Sequence, residues 1–363
     1  MKDYYKPLHL ILILVLINTI SRAQVHDFDS LYKNNDFFKQ TIDVSPDTKD
    51  LFLVDNVMNV SIESDFKNLV KKKGKDEYQP AIFRYYLNDT VTLTRDITIR
   101  PRGISRKRVC HFPPIKLNFP KEKAVTKQME EFSKLKLVSD CMKSGRAEQF
   151  VLSEYMIYKM LNIITDYSFK VRLIRVTYID TGEKYKPDTK YAFLIENKNQ
   201  MAKRLDAMAI DLKSIRDEYM EKTTLINTYI FEYLIGNTDW SVPGSQNIQF
   251  LKSNDPVMTK PFIVPYDFDL AGIVDADYAY PDPALPIKKV RERLYLGMCL
   301  PEEEIKDGLK IYLEKKDEIY TLYQNSELLD EENKRNSITY LNEFYEIIEK
   351  EDRLTRNILE ACK

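Results

Sequence analysis

The stretch that decides the predicted fold runs from residue 235 to residue 272 and reads IGNTDWSVPGSQNIQFLKSNDPVMTKPFIVPYDFDLAG. It closes a long helical pattern, residues 207–236, for which Gly236-Asn237 is a good C-terminal stop. Two apolar runs, NIQFL and PFIVPYDFDL, are separated by a polar turn and have the composition of short strands. The stretch therefore predicts a helix followed by a small hairpin.

Four polar side chains stand at the ends of these elements. Asp239 follows the helix, Asn247 begins the first strand, and Asp267 and Asp269 lie at the end of the second strand. Carboxylate and amide oxygens are the ligands that Mg²⁺ takes beside phosphates. A separate carboxylate can orient an incoming hydroxyl and accept its proton, which suits Asp239. The pattern predicts a phosphate and metal site at this point of the chain.

Each of these residues also has an ordinary structural interpretation. Asp239 can cap a turn after the helix, because Asp favours positions where it hydrogen-bonds nearby backbone. Asp267 and Asp269 can form a turn at the strand end, and Asn247 can simply start a strand. Two carboxylates that flank one Phe after an apolar strand nevertheless favour the functional interpretation of Asp267 and Asp269. Their presence also strengthens the functional interpretation of Asp239.

The rest of the chain divides into a β-rich part and a helical part. Short β-rich runs between residues 51 and 119 predict an antiparallel sheet, and KLKLVSD predicts one more strand. Apolar residues at helical spacing predict a helix over residues 147–162, and two strands follow at residues 168–178 and 191–195. Residues 302–360 are charged, amphipathic and helical in pattern.

In order and spacing, these motifs resemble the CotH-like branch of the protein-kinase fold, the atypical kinases of the spore-coat type. IGNTDW, NIQFL and VPYDFDLAG look like that family's catalytic and metal loops, while IRPRGISR and PPIKLNF look like its RG-containing and basic strands. GRAEQFVLSEYMIYKML resembles its first-lobe helix, and YAFLIEN its hinge strand. The resemblance implies an α+β, two-lobed protein-kinase-like fold, with a β-rich N-terminal lobe over residues 51–196 and a mainly helical C-terminal lobe over residues 197–363.

The resemblance also implies a role for each candidate residue, with Mg²⁺ as cofactor and ATP or another nucleoside triphosphate as ligand. Asp239 would be the catalytic aspartate. The implied metal ligands are Asn247, Asp267 and Asp269, and the implied nucleotide-binding residues are Lys116, its helix partner Glu154, Arg102 near the phosphates, and Glu196 on the hinge strand. No histidine stands in the few residues just before Asp239 and no GxGxxG loop is present, which departs from ordinary protein kinases.

Several neighbours compete for these roles. Strand alternation places Lys116 on one face of its strand, and Lys134 and Lys136 alternate in the same way. Glu148 competes with Glu154 on the predicted helix. The basic run RKR at residues 106–108 is predicted to be a solvated loop, with contact to phosphate as the alternative.

The N-terminus indicates export. Residues 1–23 combine two lysines, a short apolar run and the small-x-small sequence SRA, which is typical of a secretory signal peptide. Residues 24–50 are polar and predicted to be a lead-in segment. The apolar run is too short to span a bilayer, so we expect a periplasmic or extracellular protein without a membrane span after cleavage.

Charge and cysteine content narrow the possible partners. With 55 basic and 56 acidic side chains, the chain has a net charge of −1, which disfavours nucleic acid as a partner. The four cysteines Cys110, Cys141, Cys299 and Cys362 permit three full pairings, which sequence cannot distinguish. Cys110 with Cys141 can be a staple of the first lobe or two free thiols.

Two functions are consistent with these patterns. The first is an exported phosphotransferase that uses a Mg-nucleotide to phosphorylate a protein acceptor. The alternative is a non-catalytic, pseudokinase-like binding or assembly module of the cell envelope.

Overall fold

The computed structural model describes residues 51–52, 55–86, 92–103, 106–120, 134–140 and 145–362. The predicted signal peptide and lead-in segment, residues 1–50, lie outside these ranges.

The N-terminal part is a closed barrel of seven strands. In chain order they are β1 Met58–Ser64, β2 Gln79–Tyr86, β3 Thr92–Pro101, β4 Ile115–Asn118, β5 Lys134–Val138, β6 Val171–Asp180 and β7 Asp188–Ile195. Around the barrel the order is β1-β2-β3-β4-β5-β7-β6, and β1 pairs with β6 to close it. That closing pair is parallel, whereas the other neighbouring pairs are antiparallel.

Alternation of side chains fills the barrel and leaves a polar outer face. On β4, Ile115 and Leu117 are fully buried, while Lys116 and Asn118 are only partly buried. Ile62 and Leu137 are fully buried in the same apolar cluster. Period-two burial of β-branched and aliphatic residues is what a strand needs when only one of its faces meets a core.

Helices and a second, smaller sheet make up most of the remaining structure. The helices are α1 Phe66–Lys71, α2 Arg106–Val109, α3 Ala147–Ile164, α4 Lys198–Arg204, α5 Lys222–Ile235, α6 Glu302–Glu314, α7 Lys316–Gln324, α8 Glu331–Ile348 and α9 Glu351–Leu354. The small sheet has the order β10-β9-β8, formed by β8 Ala207–Ile210, β9 Ile248–Ser253 and β10 Phe262–Pro265. A 3₁₀ turn at Asp217–Tyr219 and a π-helical turn at Thr355–Leu359 complete the elements.

The prediction of a two-lobed, protein-kinase-like fold is wrong. The N-terminal part is a closed mixed barrel followed by a helical region. The barrel encloses one apolar cluster, and a larger one joins α3 and residues of β6 and β7 to the C-terminal helices, so the same two strands contribute to both. Local patterns predicted the strands correctly, but the parallel pairing of β1 with β6 joins segments more than a hundred residues apart, which alternation alone cannot show.

The long helix predicted over residues 207–236 is also wrong in its first half. Residues 207–210 form β8, which pairs with β9, and the helix itself is confined to Lys222–Ile235. Its predicted end is confirmed, because Gly236 has a left-handed backbone with φ 67° and its amide bonds the last turn. The predicted helix at residues 147–162 is confirmed as α3 and the predicted strand NIQFL as β9, whereas the predicted strand PFIVPYDFDL is confirmed only over Phe262–Pro265, which form β10.

The cysteine pairing is partly settled. Cys299 and Cys362 form a disulfide, with 63 residues of sequence separation. Cys110 is disulfide-bonded as well, and Cys141 lies outside the described residues. Among the helices within the described ranges, none is both long and apolar enough to cross a membrane.

Candidate functional site

Arg106 is the centre of a buried cluster of charges. Its Nη2 atom lies 2.6 Å from Asp269 Oδ1, 3.3 Å from Asp267 Oδ1 and 3.7 Å from Glu154 Oε2. Arg106 comes from α2, Glu154 from the middle of α3, and the two aspartates follow β10. We call Glu154, Asp267 and Asp269 the carboxylate cluster. One arginine thus ties together three distant segments of the chain.

Burial governs the charge state of this cluster. Burial would lower the pKa of Arg106, but its three carboxylate neighbours raise that pKa well above the ordinary value. Burial raises the pKa of Glu154 to about 8, because Arg106 offsets only part of the desolvation. Asp269 shifts in the same direction, whereas Arg106, Arg102 and Lys136 together hold the pKa of Asp267 below its usual value despite its burial. Asp267 is therefore the member most firmly held as an anion.

Two of the predicted metal ligands have unusual backbones. Asn247 has φ 53° and Asp267 has φ 68°, both in the left-handed region that side chains other than glycine rarely adopt. The amide of Asp267 donates to the hydroxyl of Tyr158, 2.9 Å away on α3, which helps to hold this conformation. Such strained positions cluster at functional sites, where the surrounding structure fixes them.

Asp239 is held by a net of hydrogen bonds. Its carboxylate accepts from the side-chain amides of Gln246 and Asn247, the latter at 2.9 Å. The Asn247 amide also donates to the Asp239 carbonyl at 2.6 Å, and the Asp239 amide donates to Asn237 Oδ1 at 3.0 Å. Burial and the nearby Asp269 raise the pKa of Asp239 to about 6, although Asn247 opposes the shift. A carboxylate with this pKa can accept a proton near neutral pH.

A second group of charges, which we call the basic wall, consists of Arg102, Lys116 and Lys136. Lys116 and Lys136 are opposite each other on β4 and β5, and Arg102 directly follows β3. Burial and the nearby Arg102 lower the pKa of Lys136 to about 8, although Asp267 opposes the shift. None of the three forms an ion pair with another described residue.

Arg102 is the most unusual member of the basic wall. Its Nε and Nη2 atoms are buried and have no hydrogen-bond partner among the described residues. Burial lowers the pKa of Arg102, and the nearby Asp267 opposes that shift. Buried polar groups are nearly always paired in folded proteins, so these N–H groups are open to a partner from outside the chain, either water or an anion.

The structure brings most of the predicted site residues together but changes some partnerships. Glu154 pairs with Arg106, and no ion pair with its predicted partner Lys116 is found in the described part. The sequence offered Lys136 only as a rival of Lys116. Burial lowers the pKa of Lys136 and Asp267 opposes that shift, whereas Asp267 is not among the main groups that shift the pKa of Lys116. The Lys136 ammonium also lies 4.3 Å from the ring centre of Tyr266, next to Asp267.

Glu196 is committed to a different interaction. Its carboxylate binds Arg204 in bidentate fashion, at 3.2 Å to Nε and 2.9 Å to Nη2, and accepts from the Lys170 amide at 3.0 Å. The side chain is only 7% exposed. These contacts give the Glu196 side chain a structural role at the end of β7, and its predicted role in nucleotide binding stays a prediction.

Arg106 is the functional residue that sequence reasoning missed. The run at residues 106–108 was predicted to be a solvated loop, yet the Arg106 side chain is only 11% exposed. Lys107 pairs with Asp76, and Arg108 is exposed. Three successive basic residues look alike in sequence, and only the fold distinguishes the one that points inward.

The donor set has the chemistry of a magnesium site that shares its ion with phosphate. Within the described ranges, no group of three or more His, Cys, Asp or Glu side chains is arranged to hold a metal ion by itself. Mg²⁺ bound with nucleotides, however, takes one or two carboxylates and completes its shell with phosphate and water. Asp267 offers an anionic oxygen, and Asn247, whose amide nitrogen bonds Asp239, offers its side-chain oxygen.

A cavity of about 280 Å³ opens beside Asp239. Asp239 and Gln246 form its polar side, while Leu270, Leu285 and Leu296 contribute apolar surface. The cavity is large enough for one side chain, and it reaches the carboxylate that could take a proton from it.

No protein-family model matches this chain, and no curated protein matches it significantly.

Proposed function

We propose that this protein is an exported phosphotransferase that takes a Mg-nucleoside triphosphate and phosphorylates a hydroxyl of a protein acceptor. Arg102 carries the proposal, since its buried guanidinium has unpaired N–H groups beside Asp267. A polyphosphate brings the negative charge that the basic wall lacks, and Arg and Lys are the side chains that bind phosphate most readily.

One set of residues in the site would bind the phosphates, and another would bind the metal ion. Arg102, Lys116 and Lys136 bind and orient the phosphates by charge. Asp267 and Asn247 would hold the magnesium ion, which when bound neutralises developing charge on the phosphates. The left-handed backbone of both residues and the Tyr158 hydrogen bond fix these oxygens in place.

Asp239 acts as the general base for the acceptor hydroxyl. Its carboxylate lines the small cavity, where an acceptor hydroxyl can approach it. Gln246 and Asn247 hold the carboxylate in one orientation, so that it can align the hydroxyl and accept its proton as the new P–O bond forms. With a pKa of about 6, Asp239 is largely ionised at neutral pH and ready for this role.

Export belongs to the same proposal. The Cys299–Cys362 disulfide suits an oxidising compartment, where such bonds form and persist. The N-terminal signal pattern supports the same location.

One observation favours a non-catalytic binding module instead. Arg106 Nη2 lies between Asp267 and Asp269, in a position that a cation would take. If this ion pair is permanent, Asp267 is not available to a metal, and the basic wall would bind an anion without chemistry.

The test is transfer of labelled γ-phosphate from ATP and Mg²⁺ to a mixture of exported proteins, with wild type beside Asp239→Asn and Asp267→Ala. The phosphotransferase predicts labelling that Asp239→Asn reduces by about 10²–10⁴-fold, the usual contribution of a positioned base. Asp239→Asn should still bind ATP. Binding of ATP by all three proteins without any labelling would contradict transfer and support the binding module.

A further inference from the structure

A second cavity, of about 450 Å³, opens at one end of the barrel. Its walls are aromatic and include Phe66, Phe112, Tyr178 and Tyr185. None of its lining residues belongs to the carboxylate cluster or the basic wall. The mouths of β-barrels are preferred places for small-molecule sites, and the volume lies in the range of such sites.

The aromatic walls are preformed by ring packing. Tyr178 meets Phe66 edge to face at 5.5 Å between ring centres and lies tilted against Phe112 at 5.0 Å. Phe66 and Phe112 are 5.4 Å apart, which closes a set of three mutually packed rings. A rigid aromatic surface of this kind favours a flat, unsaturated ligand, because ring contacts add to the area buried.

The cavity also has hydroxyl groups without partners. The Tyr178 and Tyr185 hydroxyl oxygens are buried and make no hydrogen bond of good geometry within the described part of the chain. Burial raises the pKa of Tyr178, although the Ser139 side chain lies close enough to oppose that shift slightly, so its phenol stays protonated and can donate. Unpaired donors of this kind disfavour a purely apolar ligand.

Ion pairing among the charged side chains at the rim determines which charge a bound ligand would meet. Lys190 Nζ is held between Asp140 Oδ2 at 2.5 Å and Asp188 Oδ2 at 3.3 Å. The Asp180 carboxylate accepts from four backbone amides, those of residues 67, 182, 184 and 185. The three lysines of the lining balance its three aspartates, and Lys184 and Lys186 are the two positive charges that no ion pair within the described residues occupies, so they are left to meet an acidic group.

Lys184 is also placed at the aromatic wall. Its ammonium lies 5.2 Å from the ring centre of Tyr185, a cation–π arrangement. An acidic group on a ligand whose ring lay against Tyr178 would meet this lysine at the rim. We propose that the cavity binds a small aromatic compound that carries one acidic group, with the ring inside and the acid at Lys184 and Lys186.

Calorimetric titration of the full mature chain with naphthalene-2-sulfonate tests the proposal, with 2-naphthalenemethanol as the neutral analogue of the same ring. We expect saturable binding of the sulfonate and binding of the alcohol weaker by about fivefold or more, the effect of one exposed charge pair. Lys184→Glu and Lys186→Glu should each weaken the sulfonate by a similar factor. Lys288→Glu, an exposed lysine outside the lining, is the matched control and should change nothing.

Tyr178→Phe removes only a hydroxyl and should weaken binding by about threefold to tenfold, as loss of one hydrogen bond does. Asp267→Ala should leave sulfonate binding intact, which separates this site from the proposed nucleotide site. Equal binding of the two naphthalenes, or sulfonate binding that neither lysine reversal changes, would overturn the proposal. So would the absence of binding to wild-type protein that is shown to be folded by its thermal transition.

Discussion

At the candidate site, Arg106 and the residues of the basic wall differ in how their positive charges are balanced. Arg106 is surrounded by three carboxylates within 3.7 Å. Arg102 and Lys136 are partly buried, and they have no carboxylate within ion-pair distance among the described residues. Breaking a buried ion pair destabilises a fold, whereas a buried charge that the chain leaves open is consistent with a ligand of opposite charge.

Substitution of Arg106 and of Arg102 should have the most different effects on the free energy of unfolding. Arg106→Gln leaves the buried Asp269 and the partly buried Asp267 without their ion-pair partner, so we expect the free energy of unfolding at neutral pH to fall by about 3–5 kcal/mol. Arg102→Met removes a cation whose burial already costs free energy, and we expect a change within about 1 kcal/mol. Denaturant unfolding of both variants measures the difference. Equal losses for both would show that the contrast between the two groups is not real.

The disulfide offers a second way to lose stability without touching the site. Cys299→Ser with Cys362→Ser opens a loop of 63 residues, and we expect the free energy of unfolding to fall by about 2–4 kcal/mol through the entropy of the unfolded chain. ATP binding below the transition temperature should stay unchanged. If this double variant lost ATP binding as Arg102→Met does, binding losses would report stability and not the site.

Lys136 and Lys134 provide a matched pair on one strand. Lys134 is exposed and Lys136 is partly buried beside Asp267, two residues further along β5. Lys136→Met should weaken binding of ATP and Mg²⁺ by about tenfold to a hundredfold, the loss expected for one charged hydrogen bond. Lys134→Met should weaken it less than twofold. A titration in which both substitutions had the same effect would place the phosphates elsewhere on the sheet.

The smallest effect concerns pH. Asp239 must be ionised to accept a proton, so kcat/KM should rise with pH through about 6. Lys136 must be charged to hold phosphate, so kcat/KM should fall again above about 8. Lys136→Arg should move the upper limb to higher pH, while Glu154→Gln should leave it in place although Glu154 also titrates near 8. An upper limb that moves only in Glu154→Gln would assign it to the carboxylate cluster.

Sequence patterns predicted the local structure well where one face of an element is apolar. The helix α3 and the strand β9 lie close to their predicted bounds, whereas β10 ends at Pro265, before the predicted end of its strand. Residues 207–210 were misassigned because a short run next to a helical pattern carries no sign that it pairs with β9. Barrel closure was missed for a related reason, since pairing between distant strands depends on the whole chain and not on a local period.

The sequence predicted those site residues that lie at the ends of neighbouring elements, but not the partners that come from distant segments of the chain. Asp239, Asn247 and Asp267 stand at element ends in the sequence, so their proximity followed from the predicted hairpin. The position of Arg106 between the carboxylates depends on where the fold places α2 relative to the residues that follow β10. Nothing in the run of residues 106–108 distinguishes an inward arginine from a solvated one, and the side-chain partner of Glu196 was likewise hidden.

Calorimetric titration with ATP and Mg²⁺ measures whether the basic wall binds a polyphosphate. Wild-type protein and Arg108→Gln, an exposed arginine on the same helix as Arg106, should bind ATP alike. Arg102→Met should bind at least about tenfold more weakly while unfolding at nearly the same denaturant concentration. Undiminished ATP binding by a folded Arg102→Met variant, or no binding by wild type, would contradict the account.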